Sequence, residues 1–219
     1  MHTCYQDDCF DERHVQACID DAGRGTLCGP VVTACVVWNP HVDHPLCSSI
    51  NDSKKLSRKK RAVLRSFIEE HALEYSVGIA TPAEIDSINI RNATQLAMKR
   101  AIEGITTPID LLLVDGDHFV PYRNRERSHE DDPLYIPHKC VVQGDSKYLG
   151  IAAASILAKE HHDDMIREYL EDHPECIVYD WESNMGYGTS KHMQALKDYG
   201  AHEYHRTTFA PVRRALYGE

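Results

Sequence analysis

Two adjacent aspartates at the end of a short apolar run constrain this sequence most. Residues 15–19, broken only by Gln16, predict a β-strand, and Asp20 and Asp21 follow it directly. Like charges a few ångströms apart resist joint ionisation, so the pair is costly without a positive partner. Hard divalent cations such as Mg²⁺ take carboxylate oxygens as ligands. The pair therefore favours a metal site at a strand end.

The glycines that follow the pair indicate where the strand ends. Neighbours in a regular strand point to opposite faces, so Asp20 and Asp21 reach one ion only if the strand is interrupted. Gly23 and Gly25 allow a turn, and we expect the strand to give way at Asp21, which turns its carboxylate back toward the site. The backbone N–H groups of these glycines also suit the close approach of a ligand. The alternative is an acidic surface turn with Arg24 as its counter-charge, and this stretch alone favours neither interpretation.

Length and composition place the chain among one-domain globular proteins. It has 219 residues, of which 42% are apolar and 26% are charged. No apolar run approaches membrane-spanning length, and the polar, acidic N-terminus is neither a signal peptide nor a transit peptide. We therefore expect a cytoplasmic protein without a membrane partner, whose 8 cysteines stay reduced, and we take it to be a monomer.

The first 13 residues predict a disordered tail. A zinc site there is the less favoured alternative, because the spacing of the candidate ligands matches no familiar zinc pattern and the sequence has no C-x-x-C pair. Those candidates are His2, Cys4, Cys9 and His14.

The charge is negative in sum but unevenly distributed. A net charge of −10 excludes a surface built for general DNA binding. One segment nevertheless carries basic residues with no acid among them: Lys54, Lys55, Arg58, Lys59, Lys60, Arg61 and Arg65. A local basic face on an acidic protein fits nucleic-acid binding at one edge, and a solvated helix face is the alternative.

Hydrophobic periodicity predicts an α/β fold with a mixed sheet flanked by helices. Two closely spaced strands form an antiparallel hairpin, and strands then alternate with helices. The predicted strands are 15–19, 31–38, 74–80, 109–114 and 139–143. The predicted helices start after Ser57, follow a capping box at Thr81 and Glu84 over about 89–104, span 151–172 and 189–199, and include part of 205–216.

Acidic residues recur where the predicted strands end. Asp20 and Asp21 close the first strand, Asp115 follows the fourth, and Asp145 follows the fifth. In α/β sheets, binding sites assemble at strand ends. A single Asp-Gly pair is only a turn signal, but four acids from separate strand ends could hold two divalent ions about 3.5–4 Å apart. Such a pair of ions serves in-line phosphoryl displacement, because one activates the attacking water and the other stabilises the leaving oxygen.

The same residues resemble a known family, type 2 ribonuclease H, and in particular bacterial ribonuclease HII. Six blocks match in order between about residues 15 and 212, so chance is a poor explanation. The blocks are Asp20-Asp21-Ala22-Gly23-Arg24-Gly25 with Gly29-Pro30-Val31-Val32; Asp52-Ser53-Lys54-Lys55-Leu56; Val114-Asp115-Gly116; Gly144-Asp145 with Ile151-Ala152-Ala153-Ala154-Ser155-Ile156-Leu157-Ala158-Lys159; Gly186-Tyr187-Gly188-Thr189 with His192; and His205-Arg206 with Phe209 and Pro211.

The resemblance implies a ribonuclease H-like catalytic domain at residues 14–180, followed at 181–219 by a substrate-recognition loop and helices packed on the same domain. It also implies endonucleolytic cutting of RNA in RNA–DNA hybrids, and incision 5′ of single ribonucleotides embedded in duplex DNA, with 3′-OH and 5′-phosphate products. The implied cofactors are two Mg²⁺ or Mn²⁺ ions. Their ligands would be Asp20, Asp21, Asp115 and Asp145.

The resemblance further implies a set of substrate-binding residues. The segment Gly23-Arg24-Gly25 would recognise the ribose 2′-OH and the adjacent phosphate, and Tyr187 would stack on the sugar next to the junction. That agrees with the residues themselves, because only the 2′-OH distinguishes a ribonucleotide from its DNA neighbours. Lys54 and Lys55 would hold phosphates, which position the duplex without reading its sequence.

Three positions depart from the family pattern. Asp21 stands where the family has Glu, which is one methylene longer. Met185 stands for the Lys of the family's Asn-Lys-Gly-Tyr-Gly, and His162 stands for the Arg of its Lys-x-x-Arg-Asp, so two cations are lost. These departures bear on rate and affinity more than on the reaction.

Two other functions stay open as alternatives. One is another two-metal nuclease on the same fold, which the fit of Gly23-Arg24-Gly25 and Tyr187 to a 2′-OH reader disfavours. The other is a hybrid-binding protein whose catalysis is weakened by Asp21 in place of Glu.

The remaining histidines and acids of the last third receive a structural interpretation. We expect surface positions, rather than a proton shuttle, for His161, His162, His192 and His202. Asp163 and Asp164 are expected to be solvated or structural helix residues rather than metal ligands.

Overall fold

The computed structural model describes residues 14–123 and 134–218. The N-terminal tail of residues 1–13, with the candidate zinc ligands His2, Cys4 and Cys9, lies outside these residues. Within the two described ranges, every helix is too short or too polar to cross a lipid bilayer.

A five-stranded mixed sheet forms the centre of the molecule, in the order β3-β2-β1-β4-β5. The strands are β1 (Gln16–Ala22), β2 (Val31–Val37), β3 (Glu74–Ala80), β4 (Leu111–Asp115) and β5 (His138–Val141). The β1–β2 and β2–β3 pairs are antiparallel, whereas β4 is parallel to both β1 and β5. The predicted hairpin and mixed sheet are therefore confirmed, and the middle strand β1 has one antiparallel and one parallel neighbour.

Six α-helices in the described residues connect and flank the strands. They are α1 (Arg58–His71), α2 (Pro82–Glu103), α3 (Leu149–Asp172), α4 (Trp181–Asn184), α5 (Ser190–Tyr199) and α6 (Ala210–Tyr217). The predicted N-terminal caps form: the Ser57 hydroxyl accepts the Lys60 N–H, and Thr81 and Glu84 make a reciprocal capping box. These starts are predictable because the cap side chains satisfy N–H groups that a helix leaves unpaired.

Helix α2 begins earlier than its apolar pattern indicates. Its first residue is Pro82, as the capping box predicts, whereas the apolar pattern alone places the helical run at about 89–104. Asn89 interrupts the helix with φ 66° and ψ 161°, and its side-chain oxygen accepts the Asn92 N–H at 3.1 Å. The predicted boundary is thus an internal kink, where Asn89 caps the second part of a longer helix.

Each face of the sheet has its own apolar core. Helices α1 and α3 cover one face and α2 covers the other. The small residues at the start of α3, which predict close packing, are buried, and a Cβ at Gly150 would lie 2.5 Å from the Cys18 sulfur. Helix α3 therefore lies directly against β1, the strand that carries Asp20 and Asp21.

A second close approach joins α2 to β3. A Cβ at Gly78 would lie 2.0 Å from the Ala97 carbonyl oxygen and 2.4 Å from the Ala101 nitrogen. Both are backbone atoms of a helix, which cannot rotate aside as a side chain can. Only glycine at this position allows the helix to lie so near the strand.

Gly78→Ala is expected to lower the free energy of unfolding by about 1–3 kcal/mol or more, because the added methyl group forces α2 away from β3. Urea unfolding followed by circular dichroism measures this loss. Ser76→Ala, in the same strand, is the matched control and should change stability by no more than about 0.5 kcal/mol. Equal stability of Gly78→Ala and the parent chain would show that the spacing between helix and strand has slack.

The C-terminal helices build a third core on the segment that follows β1. Each of the helices α4, α5 and α6 buries one large side chain in this core: Trp181, Leu196 and Val212. These side chains pack with Cys28, which follows β1, and with Ile166 of α3. The chain end is therefore packed against the loop that links the two hairpin strands.

The expected surface position is wrong for two of the four histidines. His162 and His192 are fully buried, whereas His161 and His202 are partly exposed. The ring of His192 has a partner on each nitrogen, from the Trp181 indole N–H and the Tyr187 carbonyl. A neutral histidine is tolerated in a core when such hydrogen bonds replace those to water.

Candidate active site

Asp20 and Asp21 lie within β1, which does not give way where the sequence predicts. Asp21 is paired with Thr33 of β2, and Ala22 still belongs to the strand. The prediction that the strand ends at Asp21 is therefore wrong, because β2 continues opposite it and holds the pairing. The turn starts at Gly23, whose φ is +83°. The Asp20 carboxylate accepts the Asp21 N–H at 2.7 Å.

Asp115 is brought beside Asp20 by the pairing of two parallel strands. Ile19 of β1 is in register with Val114 of β4, so the next residue on each strand is an aspartate. The Asp115 carboxylate accepts the Gly144 N–H at 2.7 Å. This bond ties the end of β4 to the turn that contains Asp145.

Asp145 is buried in a short 3₁₀ turn, Gly144–Ser146, rather than at the end of a strand. Strand β5 ends earlier than predicted, at Val141. A Cβ at Gly144 would lie 2.6 Å from the Ile151 side chain and 3.3 Å from the Asp115 carboxylate, so glycine there lets the turn approach β4. The sequence thus predicts correctly that Asp145 lies near Asp115, but the residue belongs to a 3₁₀ turn rather than to a strand end.

The four acids form one electrostatic cluster. Burial raises the pKa of Asp20 well above its usual range, and the charges of Asp115 and Asp21 raise it further. Burial raises the pKa of Asp21 to about 6, against the opposing effect of Arg24, and Asp115 adds to the rise. Burial and neighbouring carboxylates, Asp115 among them, also raise the pKa of Asp145. Such a group of oxygen donors fits a divalent cation, whose charge relieves the repulsion.

A fifth carboxyl group belongs to the same region. The Asp52 carboxyl group lies close enough to Asp145 to raise the pKa of Asp145. Asp52 also accepts the Lys54 N–H at 2.9 Å, as the N-cap of a 3₁₀ turn. The sequence contains the signal, because Asp52 begins one of the six matching blocks, but it does not indicate that this acid faces Asp145.

The two candidate phosphate ligands differ in their surroundings. Burial lowers the pKa of Lys54, but the charges of Asp20 and Asp52 outweigh it and the pKa is raised, so this ammonium faces the acids. Lys55 is exposed, and its ammonium lies 3.7 Å from an Asp52 oxygen. Lys54 is thus the cation within reach of a phosphate bound at the acids.

The basic segment that includes α1 is partly neutralised by the protein itself. Arg61 donates to Glu160 at 2.6 Å, and Arg65 pairs with both Glu69 and Asp164. Other cations of the segment stay exposed: Lys54, Lys55, Arg58, Lys59 and Lys60. Neither interpretation predicts that the inner arginines join α1 to α3. The outer residues form an exposed basic surface, which is compatible with both interpretations.

The candidate 2′-OH reader consists of two segments that meet. Thr26 and Tyr187 form an antiparallel bridge, and a Cβ at Gly25 would lie 3.9 Å from the Tyr187 ring. Tyr187 is 39% exposed, and the Lys159 ammonium lies 5.2 Å from its ring centroid. Arg24 is exposed, with its guanidinium 3.9 Å from the Asp21 carboxylate. The structure therefore brings the predicted reader next to the predicted acids.

Comparison with known proteins decides the family. The family model described as Ribonuclease HII matches residues 17–212. The ribonuclease HII of Bacteroides fragilis is 44% identical over 200 residues, which cover 91% of each chain. This chain belongs to the ribonuclease HII family. It is accordingly a type 2 ribonuclease H, an enzyme of a divalent-metal-dependent family that cleaves RNA in RNA–DNA hybrids.

Solved structures share the fold. The PCNA:RNase HII complex from Archaeoglobus fulgidus has a TM-score of 0.69 at 24% identity, covering 89% of this chain and 95% of that chain. Bst-RNase HIII in complex with Mn²⁺ has a TM-score of 0.60 at 16% identity, covering 93% and 69%. The ribonuclease H-like fold expected from the sequence is confirmed.

The two lost cations of the family pattern are replaced by buried groups. Met185 is nearly buried beside Trp181, with a left-handed backbone at φ 49°. His162 packs beneath the turn at Gly23, where a Cβ would lie 2.4 Å from the ring. Burial lowers the pKa of His162, which stays neutral near pH 7. Neither residue brings a positive charge to the reader of this ribonuclease HII.

A second group of ligand-type residues lies in the C-terminal part. One ligand atom from each of Glu175, Cys176 and His202 lies within 4.8 Å of the others. His202 Nδ1 accepts the Tyr204 N–H at 3.3 Å, so the ring proton is on Nε2, which faces Glu175 at 3.8 Å. Burial raises the pKa of the Cys176 thiol to about 11, so this group is a neutral thiol near pH 7. These groups form a polar cluster in the C-terminal part.

We expect Mg²⁺ or Mn²⁺ to raise the thermal unfolding midpoint, because binding to the native acids stabilises the fold by mass action. The increment should shrink as the pH falls through about 6, where Asp21 takes up a proton that competes with the metal. Calorimetry at about pH 7.5 and about pH 5, with KCl of matched ionic strength as the control, measures the difference. An increment that is equal at both pH values would contradict this electrostatic account.

Proposed function

We propose that this ribonuclease HII uses two divalent ions, Mg²⁺ or Mn²⁺, to hydrolyse the RNA strand of RNA–DNA hybrids and to incise 5′ of single ribonucleotides in duplex DNA. The products carry 3′-OH and 5′-phosphate ends. The observation that carries the proposal is the cluster of four carboxylates. Within it, the charge of Asp115 raises the pKa of each of the other three. Their proposed role is to hold the ions: Asp20, Asp21, Asp115 and Asp145.

The chemistry of the donor set supports two metal ions. Carboxylate oxygens are the ligands that Mg²⁺ and Mn²⁺ prefer. When bound, such ions activate the attacking water and stabilise the leaving oxygen. The chain itself fixes the ligands, since the Gly144 N–H orients Asp115 and the 3₁₀ turn holds Asp145 in a buried position. A neighbouring solved structure, that of Bst-RNase HIII, is in complex with Mn²⁺.

The residues around the acids suit a nucleic-acid strand. The ammonium of Lys54 is drawn toward the acids and can bind a phosphate oxygen there. The segment Gly23-Arg24-Gly25 presents backbone groups and a cation at the ribose, where the 2′-OH is the only mark of RNA. Tyr187 offers a partly exposed ring for stacking on the adjacent sugar. Together these groups let one ribonucleotide be recognised within DNA.

The decisive experiment is incision of a duplex that carries one ribonucleotide, with Mg²⁺ and separately with Mn²⁺. The expected product ends 5′ of the ribonucleotide with a 3′-OH, which a polymerase can extend. A uniform RNA–DNA hybrid and an all-DNA duplex are the positive and negative controls. Cleavage of the hybrid without incision of the single-ribonucleotide duplex would restrict the proposal to hybrids.

Asp145→Asn is expected to reduce cleavage at least about 100-fold while the protein stays folded, because the amide is nearly isosteric but lacks the charge that binds a cation. Steady-state rates on the hybrid and a circular dichroism melt measure the two quantities. Asp198→Asn, at an exposed position on α5, is the matched control and should be unchanged. Asp115→Asn should behave as Asp145→Asn does, and near-normal turnover in either would remove that residue from the metal site.

Tyr187→Ala is expected to damage incision at a single ribonucleotide more than cutting within a long hybrid. Stacking of a base on an aromatic ring is worth about 1–3 kcal/mol, and a contact of this kind at a single junction is available in only one register. A long hybrid offers a 2′-OH at every step. The ratio of kcat/KM on the two substrates is the measurement, with Tyr199→Ala, exposed on α5, as the control. Equal losses on both substrates would make Tyr187 structural.

Asp21→Glu is expected to raise the Mg²⁺-supported rate and to reduce the preference for Mn²⁺. The aspartate withdraws the carboxylate by about 1.5 Å relative to glutamate, and the regular pairing of Asp21 with Thr33 restrains the backbone from moving to compensate. Mg²⁺ demands near-octahedral geometry at about 2.0–2.1 Å, so it suffers most from the gap. Rates measured with each metal test this, and a lower Mg²⁺ rate in Asp21→Glu would show that the site is adapted to the shorter side chain.

A further inference from the structure

A fully buried arginine lies behind the candidate reader. Arg206 has no exposed surface, and within the described residues it pairs with no carboxylate. Its guanidinium donates instead to backbone carbonyls: Nε to Gly29 at 2.9 Å, Nη1 to Arg24 at 3.1 Å, and Nη2 to Gly23 at 2.7 Å and Pro30 at 2.9 Å. A buried cation is costly unless its donors are satisfied, and here every nitrogen of the group has an acceptor.

These four bonds determine the shape of the loop between β1 and β2. They bind both of its ends, Gly23-Arg24 and Gly29-Pro30, to one planar group. The carbonyls of Gly23 and Arg24 are thereby turned inward, toward the guanidinium. A planar fork with five donors can do this, whereas the single ammonium of lysine cannot.

The second segment of the reader, which contains Tyr187, is connected to His205, the residue that precedes Arg206. His192 Nε2 accepts the Trp181 indole N–H at 3.1 Å, so the proton of His192 is on Nδ1 and is donated to the Tyr187 carbonyl at 3.0 Å. His205 Nδ1 lies 2.9 Å from the His202 nitrogen and 3.1 Å from the His202 carbonyl oxygen, and His205 Nε2 lies 3.0 Å from His192 Nε2. A chain of polar contacts thus runs from His205 through His192 to Tyr187.

Burial keeps this pair of histidines neutral. It lowers the pKa of His192, and it lowers that of His205 to about 3 with a further effect from His192. Backbone contacts complete the connection, since the Arg206 N–H donates to Leu27 at 2.9 Å and the Leu27 N–H donates to Gly186 at 2.8 Å. The dipeptide His205-Arg206 therefore contacts the Gly23-Arg24 segment directly and is linked to the Tyr187 segment through His192 and Leu27.

We propose that Arg206 is a positioning residue for the recognition of single ribonucleotides, acting with His205 to hold the Gly23–Gly25 backbone and Tyr187 at one fixed spacing. The inference rests on the proposed function, because it assigns to both segments the same nucleotide. At a single junction both segments must engage one sugar in one register, so a change in their spacing weakens recognition. In a long hybrid, binding in a neighbouring register compensates for such a change.

The test is Arg206→Lys, which keeps the charge but cannot satisfy four carbonyls. We expect its kcat/KM for the single-ribonucleotide duplex to fall at least about tenfold, while that for a uniform hybrid stays within about threefold. Arg214→Lys, exposed on α6, is the matched control. Amide hydrogen exchange should accelerate both at Gly25–Thr26 and at Tyr187. If Arg206 held only one of the two segments, exchange would accelerate in that segment alone.

A second variant keeps the test decisive if Arg206→Lys does not fold. His205→Leu removes the link to His192 and leaves the guanidinium in place, and it should lower the same ratio, whereas His205→Gln restores a donor and should recover part of it. Combining Arg206→Lys with Tyr187→Ala should cost little more at the junction than the worse single change, because both act on one reader.

The outcomes separate the two ideas. If the parent chain does not incise the single-ribonucleotide duplex, the proposed function fails and this inference fails with it. If the parent incises it, but Arg206→Lys and His205→Leu lose equal activity on both substrates, only the positioning role is overturned, and the dipeptide is merely structural.

Discussion

The register between β1 and β4 is the constraint on which the site depends. Parallel pairing aligns Ile19 with Val114, and the following residue on each strand is an acid. A shift of one residue would move Asp20 or Asp115 to the opposite face of the sheet. Both faces of these strands are buried by α2 and α3, so the hydrophobic cores enforce the register that the acids require. Repulsion between carboxylates is thus opposed by packing of residues with no role in the chemistry.

The site combines a rigid acidic half with a reader built from distant segments. Strands β1 and β4 and the Gly144–Ser146 turn hold the acids through backbone pairing. The proposed reader instead depends on hydrogen bonds from Arg206, in the C-terminal part, to the loop that follows β1. The groups proposed for reaction and those proposed for recognition therefore come from different parts of the sequence, which meet only in the folded protein.

Local patterns predict most of the fold, because strands, caps and small-residue helices leave signals within a few residues. The strand boundary at Asp21 is mispredicted because a partner strand, rather than the local glycines, decides it. His162 and His192 are mispredicted because burial depends on partners far along the chain. The contacts of Arg206 have no local signal at all, since its acceptors are carbonyls, which every residue carries. The candidate acids, in contrast, are recognisable because they recur near the ends of the strands that the sequence predicts.

The sequence distance between Arg206 and the loop that it holds has a consequence for synthesis of the chain. The bond from Arg206 to Gly23 spans 183 residues, while the acids are complete once residue 145 has been made. Because chains begin to fold from the N-terminus as they emerge, the acidic half has its sequence available well before the reader does. The proposed reader can therefore be completed only after Arg206 has left the ribosome.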